Sequence, residues 1–587
     1  MKINTAASHV IMKKIYLAIS CFMMICYSSI AQSFITPFEK SNGKQTATYF
    51  ECIDFYKTLA QTYPTIKIRT GDTTGAGYPL HVVLFSADKN FNINSWHQQH
   101  KVVVLVNNGI HPGEPDGIDA CMLLLRDLAQ GKLKAPKNVV LAVIPVYNIG
   151  GSLNRNSYSR VNQNGPESYG FRGNSENLDL NRDFIKTDSK DAFAFEKIFH
   201  QLDPDIFIDN HVSDGADYQH TMTMLTTQHN KLGGEIGDFL HDVFEPALFE
   251  GMQQKNWPMC PYVNFEESSL KEGWEAFYDP PRYSSGYAAL FETIAFVPET
   301  HMLKPYSDRV ESTYAFMQTI MEQSSKFADD IITKRSRSIE AIEKQKEFSL
   351  GWKVDSSRFD AIIFKGYDTS MATSAVTGLP RYYYDHLKPF EKPIKFYNYF
   401  VPSASVQKSK AYIIPQGWHK IIDRLKLNNV IMDRLKKDTT INVEYYKVED
   451  YKSMPKAYES HHRNYNIQLS THNDSIHFLK GDYIIYTGQY ADRYIVETLE
   501  PLGDDSFFSW NLFDAVLQRK EYYSDYRWED VAADYLIQHP EIKSQLEEKK
   551  KTDTAFANSA QQQLYFVYSH SPYSEPGYMR IPVFKIR

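Results

Sequence analysis

Two hydrophobic patterns alternate along the first 330 residues. Residues 101–107 (KVVVLVN) form a nearly continuous β-branched run, which is typical of a strand buried on both faces of a parallel sheet. Residues 139–146 and 206–210 predict two more such strands, while apolar residues at helical spacing predict helices at 117–130 and 189–202. Strands that alternate with helices in this way predict an α/β fold with a mostly parallel mixed sheet flanked by helices.

The flanking elements follow the same two patterns. Residues 48–63 have apolar positions at helical spacing and are followed by Pro64, which ends the predicted helix. Residues 67–70 and 80–86 predict a strand pair around a glycine-bearing turn. A further strand is expected within 288–298, and a long helix at 306–328.

The pattern changes near residues 330–350, where the charged stretch 334–347 interrupts the apolar positions. Short strands rich in Tyr, Phe and Ile then mix with helical segments. The predicted strands are 361–365, 395–401, 411–414 and 482–487, and the predicted helices are 419–428 and 532–551. We therefore expect a first domain at 35–335 and a C-terminal α+β accessory region at 350–587, of unknown role.

The N-terminus predicts export. Lys13 and Lys14 precede an apolar run at 15–27, and the small residues that follow offer a cleavage site after Ala31. The run is shorter than the roughly 20 apolar residues that a membrane-spanning helix needs. We expect residues 1–31 to be a signal peptide and the mature protein to be periplasmic or extracellular, without a stable transmembrane segment. A lipoprotein anchor at Cys21 is a less favoured alternative.

Composition narrows the class of protein. Hydrophobic residues make up 42% and charged residues 23% of the 587 positions, as in a chain with a sizeable core. The formal charge of −7 argues against a nucleic-acid partner, which usually faces a basic surplus. Only Cys52, Cys121 and Cys260 would remain after signal cleavage, so the fold cannot be a disulfide scaffold.

Candidate metal ligands follow two of the predicted buried strands. His111 and Glu114 lie in the segment directly after strand 101–107, and His211 directly follows strand 206–210. Ligand sites in open α/β sheets lie beyond the carboxyl ends of the strands. Two histidines and a glutamate there would supply three zinc ligands and leave the fourth position open for water. The HExxH, GxSxG and P-loop motifs of other hydrolases and nucleotide-binding proteins are absent.

The spacing HxxE followed by a distant histidine resembles the M14 (carboxypeptidase A-like) zinc metallopeptidase family, over roughly residues 35–330. Further motifs occur in the family's order. They are Ser159-Arg160-Val161-Asn162, Asp179-Leu180-Asn181-Arg182, Asp209-Asn210-His211 and Pro298-Glu299-Thr300. The last 240 or so residues resemble no family that we can name.

The resemblance implies a role for each motif. His111, Glu114 and His211 would bind one zinc ion, and Asp179 would orient His111. Arg160 would polarise the scissile carbonyl group. Asn181 and Arg182 would hold the substrate's terminal carboxylate, which an arginine fork matches.

Two positions leave a choice. Glu299 is the expected catalytic glutamate, which would deprotonate the water that zinc holds and then protonate the leaving amine; Glu292, also followed by threonine, is the competing choice. The family's substrate-capping tyrosine precedes that glutamate, and we expect Tyr287, with Tyr278 and Tyr283 as alternatives.

The sequence thus predicts an exported zinc metallocarboxypeptidase that removes the C-terminal residue of peptides with a free carboxylate. One alternative is an amidohydrolase of the same zinc chemistry that acts on peptidoglycan stem peptides. Another, of a different class, is an inert peptide- or glycan-binding protein whose working part is the Tyr-rich C-terminal third. Metal content separates the enzymes from the binding protein.

Overall fold

The computed structural model describes residues 34–265 and 273–587. The predicted signal peptide at 1–31 and the alternative anchor at Cys21 lie outside the described residues. The described chain forms two compact units. The first runs to Lys408 and includes Arg424–Val430 and Gly488–Asp505, and the second comprises Ser409–Asp423, Ile431–Thr487 and Ser506–Arg587. The first division of the chain therefore falls later than the expected 335–350.

A mixed sheet organises the first unit, as the hydrophobic runs predict. Its order is β1-β2-β4-β3-β5-β10-β7-β8, and β6 continues the line of β5 and pairs with β10. The central pairs β4/β3, β3/β5 and β5/β10 are parallel, whereas β1, β2 and β7 join their central neighbours antiparallel. The strands of this unit are β1 (Ile66–Thr73), β2 (Pro79–Ser86), β3 (Val102–Asn107), β4 (Val139–Ile144), β5 (Ile206–Asp209), β6 (His211–Ser213), β7 (Met222–Thr226), β8 (Cys260–Pro261), β9 (Trp274–Glu275), β10 (Ile294–His301), β11 (Glu347–Val354), β12 (Asp360–Thr373), β13 (Pro380–Tyr397) and β14 (Phe400–Gln407).

The described chain also contains helices, several of which pack against this sheet. They are α1 (Pro37–Lys40), α2 (Tyr49–Thr62), α3 (Asp116–Ala129), α4 (Ile149–Leu153), α5 (Lys190–Leu202), α6 (His229–Leu232), α7 (Gly234–Phe239), α8 (Glu245–Gln254), α9 (Ser284–Ala288), α10 (Tyr306–Lys326), α11 (Ala328–Lys344), α12 (His419–Leu427), α13 (Asp492–Leu499), α14 (Asp525–Gln538), α15 (Pro540–Thr552), α16 (Thr554–Ala557) and α17 (Ala560–Ser569). Within residues 34–265 and 273–587, none of them combines the length and apolar character needed to cross a bilayer.

Local chemistry explains where the expected elements begin. Thr48 caps α2 through a capping box, in which its hydroxyl accepts from the Glu51 amide and the Glu51 carboxylate accepts from the Thr48 amide. Strands β3 and β4 are buried at every position, which matches their unbroken apolar runs. Their side chains join α2, α3 and α10 in one hydrophobic core. This core fixes the strand ends that carry the candidate site.

Two expectations in the second half of this unit are wrong in detail. The strand expected within 288–298 is β10, which begins at Ile294, because residues 284–291 form α9 and a short 3-10 turn. The charged stretch 334–347 does not mark the end of the first unit, because most of it lies in α11, which belongs to that unit. Ala328, Ile331 and Ile342 bury the other face of that helix. A helix with one buried stripe tolerates many charges on its remaining surface.

Residues 345–408, which follow α11, belong to the first unit. Strands β11 and β14 pair antiparallel, and β12 and β13 form a long antiparallel hairpin whose β13 also pairs with β9. Phe364, Ile394 and Phe396 of the hairpin pack with Tyr218 and Trp274 in a separate apolar cluster. The hairpin is therefore built into the unit that carries the candidate site.

The second unit has a sheet of its own. Its strands are β15 (Ala411–Ile414), β16 (Asp433–Arg434), β17 (Thr439–Ser453), β18 (Asn464–Phe478), β19 (Tyr483–Tyr486) and β20 (Phe584–Ile586), in the order β16-β19-β15-β20-β17-β18. The predicted helix 532–551 is two helices, α14 and α15, because Pro540 begins a new one. This sheet with its helices gives the accessory region the expected α+β character.

Candidate active site

Three chain segments meet at the carboxyl edge of the main sheet. His111 and Glu114 lie in the turn between β3 and α3, and His211 opens β6 directly after β5. Strand β10 lies parallel to β6, with Glu299 beside His211 in the register. Because β3, β5 and β10 are neighbours in the sheet, residues far apart in sequence share one edge.

The structure brings the three predicted metal ligands together. One ligand atom from each of His111, Glu114 and His211 lies within 4.8 Å of the others. All three side chains are buried, and the two imidazole rings are 4.9 Å apart. Two histidines and one carboxylate at this spacing match the donor set of a catalytic zinc site.

Two carboxylates decide which histidine nitrogen faces the ligand cluster. His111 Nε2 lies 2.9 Å from Asp179 Oδ1, and His211 Nε2 lies 2.9 Å from Asp209 Oδ2. A carboxylate accepts a hydrogen bond, so each Nε2 donates to its aspartate, and each Nδ1 faces Glu114, at 3.3 Å from His111 and 3.1 Å from His211. Within the described residues, His111 Nδ1 is buried and has no hydrogen-bond partner. The residues present therefore fit a cation held between the two Nδ1 atoms and Glu114.

Sequence reasoning assigned no role to Asp209. Its second oxygen accepts a hydrogen bond from Asn107 Nδ2 at 3.0 Å, which holds the carboxylate in place. The usable signal was the spacing, because residues two apart along an extended strand point to the same side. Asp209 thus orients His211 as Asp179 orients His111.

Glu114 is the electrostatic centre of the cluster. Its Oε2 accepts from the Val212 amide at 2.9 Å, and its Oε1 lies 2.8 Å from Arg160 Nη1. Burial alone would raise the pKa of Glu114, but Arg160 and His111 hold it well below its usual range. For His211 the directions are reversed: burial alone would lower its pKa, but Asp209 raises it well above the usual value.

Two arginines approach Glu114 from the cavity. Arg160, the predicted carbonyl-polarising residue, also donates to the Val212 carbonyl oxygen at 3.2 Å and to Gln163. Arg172, which sequence reasoning missed, lies 2.9 Å from Asp179 and 3.6 Å from Glu114. Its position in the loop before the Asp179 motif was the available signal. The site thus has more positive charge than the motifs indicated.

Of the two candidate glutamates, the structure places Glu299 in the cavity. Burial raises the pKa of its carboxyl to about 8, with nearby Glu114 adding to the rise against the opposing effect of His211. Glu292 lies elsewhere, where it accepts from Ser338 and pairs with Arg493 at 3.0 Å. Glu299 is therefore the carboxylate in reach of the metal ligands.

The predicted carboxylate-binding pair lies in a short 3-10 turn, Leu180–Arg182, capped by Asp179. The Asn181 side-chain oxygen accepts from the Ser284 amide at 3.3 Å. The Arg182 guanidinium lies 4.3 Å from the centre of the Tyr283 ring. Both Asn181 and Arg182 line the same cavity as the ligand cluster.

The position of Tyr287 contradicts its predicted role as the substrate-capping residue. Its side chain is fully buried, and its hydroxyl contacts Asn428 at 2.7 Å and His200 at 3.0 Å. It does not line the cavity, because α9 turns this face toward the aromatic core around Phe199. Tyr283, one of the two alternatives, does line the cavity.

The cavity itself encloses about 280 Å³. Its apolar side chains are outnumbered by charged and polar ones. The lining residues are His111, Glu114, Arg160, Arg172, Asn181, Arg182, His211, Val212, Ser213, Asp214, Leu225, Tyr262, Phe277, Asp279, Tyr283, Val297 and Glu299. The three candidate metal ligands, the Glu299 carboxylate and several arginines thus open onto one space of small-molecule size.

Comparisons with known proteins identify a family and several relatives that the chain resembles. Residues 52–223 match the Peptidase_M14 family, described as zinc carboxypeptidase. The chain is similar to carboxypeptidase 2 from Trichophyton equinum, with 23% identity over 433 residues, 70% of this chain and 74% of the relative. Carboxypeptidase 2 from Trichophyton rubrum is 22% identical over the same shares.

Solved structures show a weaker likeness. A putative carboxypeptidase from Burkholderia mallei superposes with a TM-score of 0.36 at 16% identity, over 47% of this chain and 68% of that one. A metallo-carboxypeptidase from Burkholderia cenocepacia gives 0.37 at 15% identity, over 48% and 70%.

Proposed function

Residues 52–223 carry a zinc carboxypeptidase domain of the M14 family, and on that premise we propose that this metallocarboxypeptidase is exported and removes C-terminal residues from peptides with one bound zinc ion. A single observation carries the proposal. The cluster of His111, Glu114 and His211 opens onto the same cavity as Glu299 and Arg182. Metal ligands, a proton acceptor and a carboxylate receptor are the parts that this hydrolysis needs.

Three residues would hold the metal. His111 and His211 would bind through Nδ1, since their Nε2 atoms donate to Asp179 and Asp209. Glu114 would bind through its carboxylate. Bound zinc supplies a Lewis acid for the carbonyl oxygen and acidifies a water molecule.

Glu299 would move the proton. Its carboxylate opens onto the cavity beside His211 and has a pKa raised by burial, which suits a group that takes a proton and returns it. It would accept a proton from the attacking water and deliver it to the leaving amine. Cleavage of the C–N bond then leaves a free carboxylate and a free amino acid.

The arginines would stabilise the charge that develops on the carbonyl oxygen. Arg160 is held by Gln163, Glu114 and the Val212 carbonyl, so its guanidinium needs no reordering during the reaction. Arg172 approaches the same Glu114 oxygen, Oε1, at 3.6 Å and pairs with Asp179. Together they place fixed positive charge beside the metal ligands.

Asn181 and Arg182 would bind the substrate's terminal carboxylate. Arg182 provides the planar fork that a carboxylate matches, and Tyr283 supports that fork through its ring face. A substrate held there presents its last peptide bond toward the metal ligands. Selection for a free terminus therefore depends on Arg182.

Export rests on the N-terminal sequence alone. Lys13, Lys14 and the apolar run that follows support a cleaved signal, which would place the enzyme in the periplasm or outside the cell. Expression of the full chain in a secreting bacterial host tests this. The mature protein should begin after Ala31, whereas an intact N-terminus on cytoplasmic protein would contradict export.

The function is tested with two matched peptides that differ only at the C-terminus, one with a free carboxylate and one with an amide. The wild type should release the last residue from the free peptide only. Arg182→Ala should raise KM for it by roughly 10- to 100-fold, since a charged hydrogen bond contributes about 1.5–3 kcal/mol. Arg182→Lys, the matched control, keeps the charge without the fork and should lie in between. Equal hydrolysis of both peptides by the wild type would contradict the proposed role.

A further inference from the structure

The loop that follows the metal ligand His211 forms one wall of the cavity. Strand β6 ends at Ser213, and residues 214–220 then cross to β7. Ser213 and Asp214 line the cavity without belonging to the ligand cluster. The shape of this wall therefore depends on what holds the 214–220 loop.

The base of the β12–β13 hairpin holds the backbone of this loop. We define this hairpin base as residues 364–367 and 386–390. The Gln219 amide donates to the Lys365 carbonyl at 3.0 Å. The Gln219 side chain donates to the carbonyls of Gly366 and Phe390, at 2.9 and 3.0 Å. The loop is thus pinned to both strands of the hairpin.

A buried tyrosine adds an apolar contact to the hairpin. Tyr218 is fully buried, and its ring lies 6.1 Å from that of Phe364 in the hairpin base and 4.6 Å from the ring of His301 at the end of β10. Its hydroxyl is 3.3 Å from the Oγ atom of Ser213, a residue that lines the cavity. Movement of the hairpin base would therefore reach the cavity wall through Tyr218.

Charged groups complete the contact. Asp217 Oδ2 lies 2.6 Å from His386 Nε2 in the hairpin base, and Asp217 Oδ1 lies 3.3 Å from Lys304 Nζ. The Tyr367 ring stacks on His386 with 4.3 Å between centroids. Lys304 follows β10, the strand that carries Glu299, and also donates to the Tyr218 carbonyl. Asp217 thus joins the loop after β6, the loop after β10 and the hairpin.

We propose that the hairpin base is a positioning element of the active site, in which His386 acts through Asp217 to hold the cavity wall formed by Ser213 and Asp214. The inference rests on the proposed function and deepens it, because it assigns to residues beyond 350 a part in substrate binding. His386 touches neither the ligand cluster nor Glu299. Its loss should therefore weaken substrate binding and spare both the metal and the chemical step.

The test compares three variants in the full chain. His386→Ala removes the donor to Asp217, and His386→Gln replaces it with an amide that can still donate. Lys395→Ala is the matched control, since Lys395 lies on β13 outside the hairpin base and its exposed side chain lies 4.8 Å from the centre of the Phe359 ring. For each variant we would measure KM, kcat, zinc per chain and amide hydrogen exchange in residues 214–220.

His386→Ala should raise KM about 5- to 10-fold while kcat stays within about twofold, with zinc content unchanged and with faster exchange in the loop. His386→Gln should restore most of the KM and most of the loop's slow exchange, and Lys395→Ala should behave as the wild type. Unchanged exchange in the loop, or a loss of kcat in step with a loss of zinc, would overturn the proposal. A wild type that cleaves no peptide would overturn the proposed function instead, and the exchange measurement would still decide the role of the hairpin.

Discussion

The ligand cluster and the hairpin base both hold segments that border the cavity, and they do so with different residues. In the cluster, Asp179 and Asp209 each fix one histidine through a single hydrogen bond. At the hairpin base, one aspartate, Asp217, is fixed from two separate segments, by His386 of the hairpin and by Lys304 after β10. The cluster sets the chemistry, whereas the hairpin base sets the shape of the space in which the substrate lies.

The difference predicts that substitutions in the two regions change different kinetic quantities. A change in the cluster should alter metal binding or kcat, because its atoms face the reacting centre. A change in the hairpin base should alter KM, because it reaches the cavity only through the 214–220 loop. Substitutions in each region therefore test whether chemistry and shape are separable.

The largest expected effect is that of Glu299→Gln. The amide has the same shape but cannot take a proton, so kcat should fall by about 10²–10⁴-fold. Zinc content and KM should stay close to wild type, because Glu299 is not one of the ligand cluster. Steady-state kinetics with metal analysis checks this; a variant that keeps more than a tenth of wild-type kcat would remove Glu299 from the proposed chemistry.

Asp209→Asn should give the next largest effect, on zinc affinity. The variant keeps the size of the side chain but loses the charge that holds the His211 proton on Nε2. Loss of such a partner typically costs about 10–100-fold in metal affinity. Competition with a chelator of known affinity measures it, with Asp214→Asn as a control outside the ligand cluster; equal affinity in both variants would show that Asp209 does not orient His211.

Gly113→Ala tests the link between the cluster and Arg160. A Cβ at this position would lie 2.6 Å from Arg160 Cδ and 3.2 Å from the Gly170 carbonyl oxygen, so the arginine must move. A group displaced from developing charge loses much of its effect, and we expect kcat/KM to fall about tenfold with zinc retained. Gly417→Ala is a control for the alanine substitution itself, since its φ is not in the left-handed region and no atom of the described residues lies within 4 Å of its Cβ. Wild-type kcat/KM in Gly113→Ala would mean that Arg160 has no part in the reaction.

The smallest effect is expected at the open end of the hairpin, where β12 begins. There His241 pairs with Asp360, the first residue of β12, at 2.8 Å. The Asp360 carboxylate raises the pKa of His241 to about 9. Burial alone would raise the pKa of Asp360, but the His241 imidazole is among the groups that lower it to about 2. His241 should therefore stabilise the fold fully below its unfolded pKa of about 6.5, and this contribution should disappear as pH rises through about 9.

Thermal unfolding of His241→Ala checks that window. The variant should melt about 1 °C below wild type at pH 6, as a loss of about 1 kcal/mol gives in a unit of this size, and at the wild-type temperature at pH 10. Its KM should not change, in contrast to His386→Ala. A deficit in melting temperature that is equal at both pH values would contradict the ion pair as its cause.

The sheet and the metal ligands could be predicted because both depend on local sequence. Continuous apolar runs identified β3, β4 and β5, and the residues directly after β3 and β5 had to lie at the sheet's carboxyl edge. Helical spacing identified α2 and α10 in the same way. Where the signal was a run of neighbouring residues, the expected and observed boundaries agree within a few positions.

The errors arose where tertiary packing decides. The sequence does not indicate that α9 places Tyr287 in the core, whereas Tyr283 lines the cavity. The contact of His386 with Asp217 joins residues 169 positions apart, which no motif spans. Arg172 precedes the Asp179 motif and Asp209 begins the His211 motif, but only the contacts in the structure show that Arg172 pairs with Asp179 and that Asp209 orients His211.

Zinc content of the purified protein tests the central claim most directly. It would be measured per chain by elemental analysis in the wild type and in His211→Ala, with Glu299→Gln as the variant that keeps the ligands. We predict about one zinc in the wild type and in Glu299→Gln, and none in His211→Ala. Absence of zinc from the wild type after zinc is supplied, or equal zinc in His211→Ala, would contradict the metal centre and with it the proposed hydrolysis.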